Sequence, residues 1–153
     1  MSKSNSIPYE DCVGGDQALN AIGKILEKFG CQSFGHMTDA QNGKTIVQFK
    51  WRDQQISLEA SWKGYAATYL KAHPWTSSRS SNRQAYEARA LELAKRAVCS
   101  CLRDWVKGQV TAVECGVMSF GAVFMPHMLL PTGERVIDRV TGPNGLLRLG
   151  SEA

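Results

Sequence analysis

The chain has 153 residues, a formal net charge of +4 and a pI near 8.9, with 43% hydrophobic and 21% charged residues. That length fits one domain with a sizeable buried core, and that composition excludes a disordered chain. No stretch approaches the ~20 apolar residues of a membrane span, and Met1 to Gly15 lacks the apolar run of a signal peptide. A soluble cytoplasmic protein with no membrane partner is expected. The five cysteines, Cys12, Cys31, Cys99, Cys101 and Cys115, are odd in number and show no paired spacing, which reads as free thiols.

Residues 1–15 read as a flexible arm ending in a Gly-Gly turn. Asp16 is a candidate N-cap. Ala18, Leu19, Ile22, Ile25, Leu26 and Phe29 then recur at helical spacing up to Gly30, so the pattern predicts a helix over 17–29. The period then changes. Ser33 to Thr38 is a first strand, Asp39 to Gly43 is turn chemistry ending in Asn-Gly, and Val47, Phe49 and Trp51 alternate with Ile46, Gln48 and Lys50. After a turn at Arg52-Asp53-Gln54-Gln55, Ile56, Leu58, Ala60 and Trp62 alternate with Ser57, Glu59 and Ser61. Period-two alternation means one buried and one wet face, hence a three-stranded antiparallel meander covered by helices.

Tyr65 to Leu70 suggests a short helix stopped before His73-Pro74, and residues 76–82 are a polar loop. Ser81 with Gln84 fits a capping box for a long helix, whose apolar stripe runs through Ala90, Ala94, Ala97, Val98, Leu102, Trp105 and Val106 to Val113. Gly108 invites a kink, and Gly116 suits a left-handed cap. Ser119 caps a short helix over Phe120 to Phe124. His127–Leu130 and Arg135–Val140 are placed as a small hairpin, and 141–153 as a loose tail. The expected architecture is therefore one α+β domain over 16–140: an N-terminal helix, the meander, a long C-terminal helix and a short helix with a hairpin. The order α-β-β-β-α also occurs in double-stranded-RNA-binding domains. Here the last connection, 63–82, is long, and the basic loop of those domains is only partly echoed by Arg79 and Arg83, so the likeness is one of element order alone.

The strongest chemical pattern is basic. Arg89, Arg96 and Arg103 are spaced nearly two turns apart, with Lys107 one turn further, so they share a helix face. From Arg79 to Lys107 stand Arg79, Arg83, Arg89, Lys95, Arg96, Arg103 and Lys107, against Glu87, Glu92 and Asp104. That excess equals the charge of the whole chain. Such a row suits phosphates, because each neutralised phosphate releases counterions. Equally, it is the solvated face of a helix.

Other chemistry has less behind it. Trp51 and Trp62 fall in phase with the apolar strand positions, which places them in the core rather than on a base-stacking platform. Cys99 and Cys101 point about 200° apart on a helix and cannot chelate one ion, so no metal or cofactor is expected. Cys31 or Cys115 with a histidine (His36, His73 or His127) makes a small thiol enzyme a rival reading, although no nucleophile elbow supports it. Gly14-Gly15 before a helix lacks the strand and lysine of a phosphate loop.

Arg103 to Lys107, Val110 to Gly116, Met118-Ser119-Phe120, Phe124 to Met128 and Leu130 to Gly133 together resemble a pattern in small phage, prophage and plasmid proteins of unknown function. Those proteins share a Trp-bearing helix, a Val-Glu-x-Gly turn, a Phe-containing short helix and a Pro-x-Gly turn. Where they often carry an acidic residue after Ser-Phe, this chain has Gly121. The resemblance implies a mobile-element setting, in which small proteins bind DNA or bind and block a host protein. The expectation is a non-enzymatic binding protein whose partner is nucleic acid, DNA or RNA, or an acidic host protein such as a defence factor.

Overall fold

The computed structural model describes residues 5–147. Residues 1–4 of the expected arm and 148–153 of the expected tail lie outside the described residues. The described chain is α+β: α1 (Gly15–Phe29), β1 (Ser33–Asp39), β2 (Lys44–Trp51), β3 (Gln54–Ser61), α2 (Trp62–Ala72), α3 (Arg83–Glu114), α4 (Phe120–Phe124), a 3-10 turn (Met125–His127) and α5 (Val136–Thr141).

The α1 helix buries Ala18, Ile22 and Leu26 along one stripe and ends at Gly30, whose φ of 96° lets its N–H reach the carbonyls of Leu26 and Glu27. Its start differs from expectation. Gly14 is the cap and makes no side-chain bond, while Asp16 lies inside the first turn, where its charge complements the helix dipole. The three strands form an antiparallel meander in the order β1-β2-β3, with Val47 opposite His36 and Leu58, and Phe49 opposite Phe34 and Ile56. The second hairpin is tighter than expected. Arg52 and Asp53 both take positive φ, 46° and 63°, so β3 already begins at Gln54.

Trp62 leaves the strand pattern and opens α2, because Ser61 accepts a hydrogen bond from the Gly64 amide at 3.0 Å and caps a helix there. The cap of α3 also shifts by one residue. Asn82, not Ser81, accepts from the Ala85 amide at 3.2 Å. The helix then runs unbroken for 32 residues through Gly108. A glycine there loses helix propensity but leaves every backbone bond in place, so no kink is required. At the far end Gly116, at φ 69°, directs its N–H to Val113, and Val117 bonds back to Ala112, which closes the helix as a Schellman motif.

The expected C-terminal hairpin is replaced by a single bridge between Leu129 and Arg135, followed by α5. Arg135 bonds Asp138 one turn on (3.0 Å) and reaches Glu59 of β3 (3.2 Å), which favours a helical turn docked on the sheet over a second strand.

One face of the sheet carries Val47, Phe49, Ile56 and Leu58 against Ile22 and Leu26 of α1, Leu102, Val106 and Val110 of α3, and Val123 and Phe124. A second cluster, Trp62, Ala66, Ala94 and Val98, joins α2 to α3. Phe124 is fully buried and edge-on to both Phe49 (5.6 Å, 84°) and Trp105 (6.0 Å, 83°). Phe124→Ala removes this shared ring and leaves a cavity. The expected loss, read by urea denaturation, is about 3–5 kcal/mol.

Candidate functional site

The α3 helix holds every expected contact residue except Arg79. Its surroundings decide which of them face solvent. Along most of α3 the buried side chains are small or thin, Ala90, Ala94, Ala97 and Val98, and this lets α1 and α2 close on its two flanks. Between Ala97 and Ser100 four consecutive residues are buried. Consecutive residues point 100° apart, so the helix is covered on all sides at that level.

The cover on its outer side comes from the N-terminal segment. Before entering α1, residues 5–13 cross from α2 over α3. The Tyr65 hydroxyl donates to the Pro8 carbonyl, Glu10 meets His73 at 2.9 Å, and the Tyr9 hydroxyl donates to Asp104 at 2.8 Å. The described part of the expected arm is thus a strap tied to α2 and to α3. Ser100, midway between Arg96 and Arg103 on the basic face, is 3% exposed.

The strap divides the basic row. At its centre Arg96 lies half-buried beside Gly15, at the start of α1, with its Nε buried and without a hydrogen-bond partner. Arg103 bonds Asp104 at 3.0 Å, the same carboxylate that accepts from Tyr9. That paired guanidinium, and next the Tyr9 hydroxyl, hold the Asp104 carboxyl below its ordinary range. Lys95 points to another face, 3.0 Å from Glu92 and 4.7 Å from the centre of the Trp62 ring. Arg79 holds the loop before α3 by donating to the Pro74 carbonyl at 2.8 Å, and Arg83 pairs with Glu87 at 3.1 Å. Arg89 and Lys107 are exposed and make no ion pair or side-chain hydrogen bond among the described residues. They share one face about 27 Å apart, one on each side of the strap.

Of the thiols and histidines, Cys101 and His127 line one cleft, which neither Cys31 nor Cys115, the expected nucleophiles, lines. Burial pushes Cys31 up to about 11, which keeps its thiol protonated at neutral pH. Burial likewise raises Cys99 and Cys101. His127, which the sequence offered only as a partner for a thiol, lines a cleft of about 500 Å³ with Leu58, Tyr65, Leu102 and Trp105. Burial first, and Arg135 second, lower its proton affinity, so the cleft offers an apolar wall and a neutral imidazole. No group of three or more metal-ligating side chains occurs among the described residues, and none of their helices is long and apolar enough to cross a membrane. No protein-family model, curated protein or solved structure matches this chain.

The strap is itself testable. Glu10 is held below its ordinary range first by the Ile7 amide and then by His73. Depressed carboxylates contribute stability that is fully present above their ordinary range, about pH 4, and lost as pH falls through their lower folded values. The strap is therefore expected to stay closed at neutral pH and to open below about pH 4. At neutral pH, Tyr9→Phe/Glu10→Ala removes two of the three ties and leaves the Tyr65–Pro8 bond. Thiol labelling of Cys12 is expected to accelerate in that variant, while Cys31 labels at its wild-type rate.

Proposed function

We propose that this is a non-enzymatic binding protein that takes the phosphate backbone of a nucleic acid along the outer face of α3, in the mobile-element setting its C-terminal pattern implies. The observation that carries this reading is the unpaired state of Arg89 and Lys107 on one helix face. A cation held in no ion pair gains most from a phosphate, because no direct contact must be broken first and counterions are released; Lys107 feels only the through-space charge of Asp104. Arg83, in an exposed pair with Glu87, lies about 120° round the helix from Arg89 and is not counted in this surface. Arg96 and Arg103 support the fold and the strap.

A second reading, a protein that binds and blocks a host factor, is favoured by the exposed Val117 and Met118 at the turn after α3. It requires a stoichiometric protein complex that is insensitive to added nucleic acid.

Binding to labelled single-stranded DNA, duplex DNA and duplex RNA over a salt series separates the two. Wild-type affinity is expected to fall linearly with log salt. Arg89→Ala/Lys107→Ala is expected to lower the slope by about two, one for each lost phosphate contact. Arg96→Ala is expected to lower thermal stability and leave the slope unchanged. No binding at physiological salt, or an unchanged slope in the double variant, would retire the reading.

A further inference from the structure

The two edges of the sheet are treated differently. The outer edge of β3 is occupied: Ile56 bridges Met128, and the Leu129 amide bonds the Gln55 carbonyl at 2.8 Å. The outer edge of β1 pairs with nothing among the described residues. Soluble proteins blunt such an edge with proline, lysine or a bulge. The run from Ser33 to Asp39 has none of these; its register with β2 is unbroken, and its one formal charge, Asp39, stands at the end. Phe34 and Met37 are 44% and 54% exposed. Hollows flank the edge on both faces. One, about 420 Å³, lies between β1 and α1 beside Gly23, Phe34 and His36. The other, about 340 Å³, lies on the opposite face over Gly35, Ile46 and Gln48. Unpaired strand amides and carbonyls between two hollows are shaped for an extended chain with alternating side chains.

We propose that the occupant is a second copy of this chain, its β1 running antiparallel to the first about a two-fold axis through His36. This register pairs the whole strand with itself. Ser33 meets Asp39, Phe34 meets Thr38 and Gly35 meets Met37. Opposed residues share a face, so Met37 of each copy falls over the bare Cα of Gly35 of the other. A Cβ at Gly35 would have nothing within 4 Å, so the space for that side chain is open. Charges complement each other as well. Asp39 of one copy lies on the same face as Ser33 of the other and, one strand further, its Lys50. Among the described residues Lys50 has a single ion pair, a 3.8 Å contact to an Asp53 that is 87% exposed, so it is free to turn. The symmetry makes this contact twice. Both three-stranded sheets then join edge to edge with their helices on one side, and the two α3 helices face the same way.

Sedimentation equilibrium on the full chain, over a concentration series and without nucleic acid, tests the dimer apart from phosphate binding. A concentration-dependent dimer is expected. Met37→Lys puts a charge into the joint, and His36→Lys puts like charges face to face on the axis. Each is expected to weaken dimerisation by about tenfold or more while the far-ultraviolet spectrum and melting temperature stay near wild type. The register has its own test. Opposed Cα atoms lie about 4.5–5.5 Å apart, within disulfide range. Mild oxidation of His36→Cys is therefore expected to give a covalent dimer well above the wild-type background. Phe34→Cys, whose copies sit about 13 Å apart along the strands, is expected to stay at background. A monomer at every concentration, a dimer that Met37→Lys leaves intact, or equal cross-linking of the two cysteine variants would overturn the proposal.

Discussion

The encirclement of α3 at Ala97–Ser100 is the constraint on which the rest of the structure depends. A helix buried on all sides needs small side chains where its neighbours come closest. The chain meets that need with Ala90, Ala94 and Ala97 on the helix and with Gly15 against Arg96. On one flank this allows α1 and α3 to cover the apolar face of the sheet together. On the other it lets α2 pack Trp62 and Ala66 against Ala94 and Val98. The strap closes the remaining side with hydrogen bonds rather than apolar mass, which suits a surface between exposed charges.

That geometry sorts the basic residues by role. Side chains at the level of the strap are engaged by the fold: Arg96 lies against Gly15, and Arg103 is locked to Asp104. Side chains above and below it, Arg89 and Lys107, are exposed and held in no ion pair among the described residues. The same helix therefore serves as the pillar of the core and, at two separated points, as the proposed contact surface. An edge-paired dimer would place two such helices on one side of the joined sheets.

Much of the fold was legible in the sequence because the periods are clean. Alternation from Ile46 to Trp51 and from Ile56 to Ser61 gave the meander, and the spacing from Ala18 to Phe29 gave α1. What failed was local. Asp16 and Ser81 each had a neighbour able to start the helix, and cap choice turns on one hydrogen bond. Trp62 continued the strand alternation, yet the Ser61 cap redirected the backbone. Residues 135–140 alternate weakly enough that the Arg135 ion pairs decided for a helix. The candidate site was legible as a list but not as a surface. Arg89, Arg96, Arg103 and Lys107 do share a face by spacing. That a polar segment with a lone Tyr9 and Glu10 would fold back across that face depends on partners 95 and 63 residues away, which no local pattern encodes.

The most direct test of this arrangement is amide chemical-shift mapping of the labelled protein as an unlabelled nucleic-acid duplex is added. Two patches of perturbation are predicted on α3, one around Arg89 and one around Lys107, with Ala97 to Ser100 beneath the strap unmoved. Perturbations confined to the sheet or the cleft at His127, or none at saturating duplex, would contradict the account.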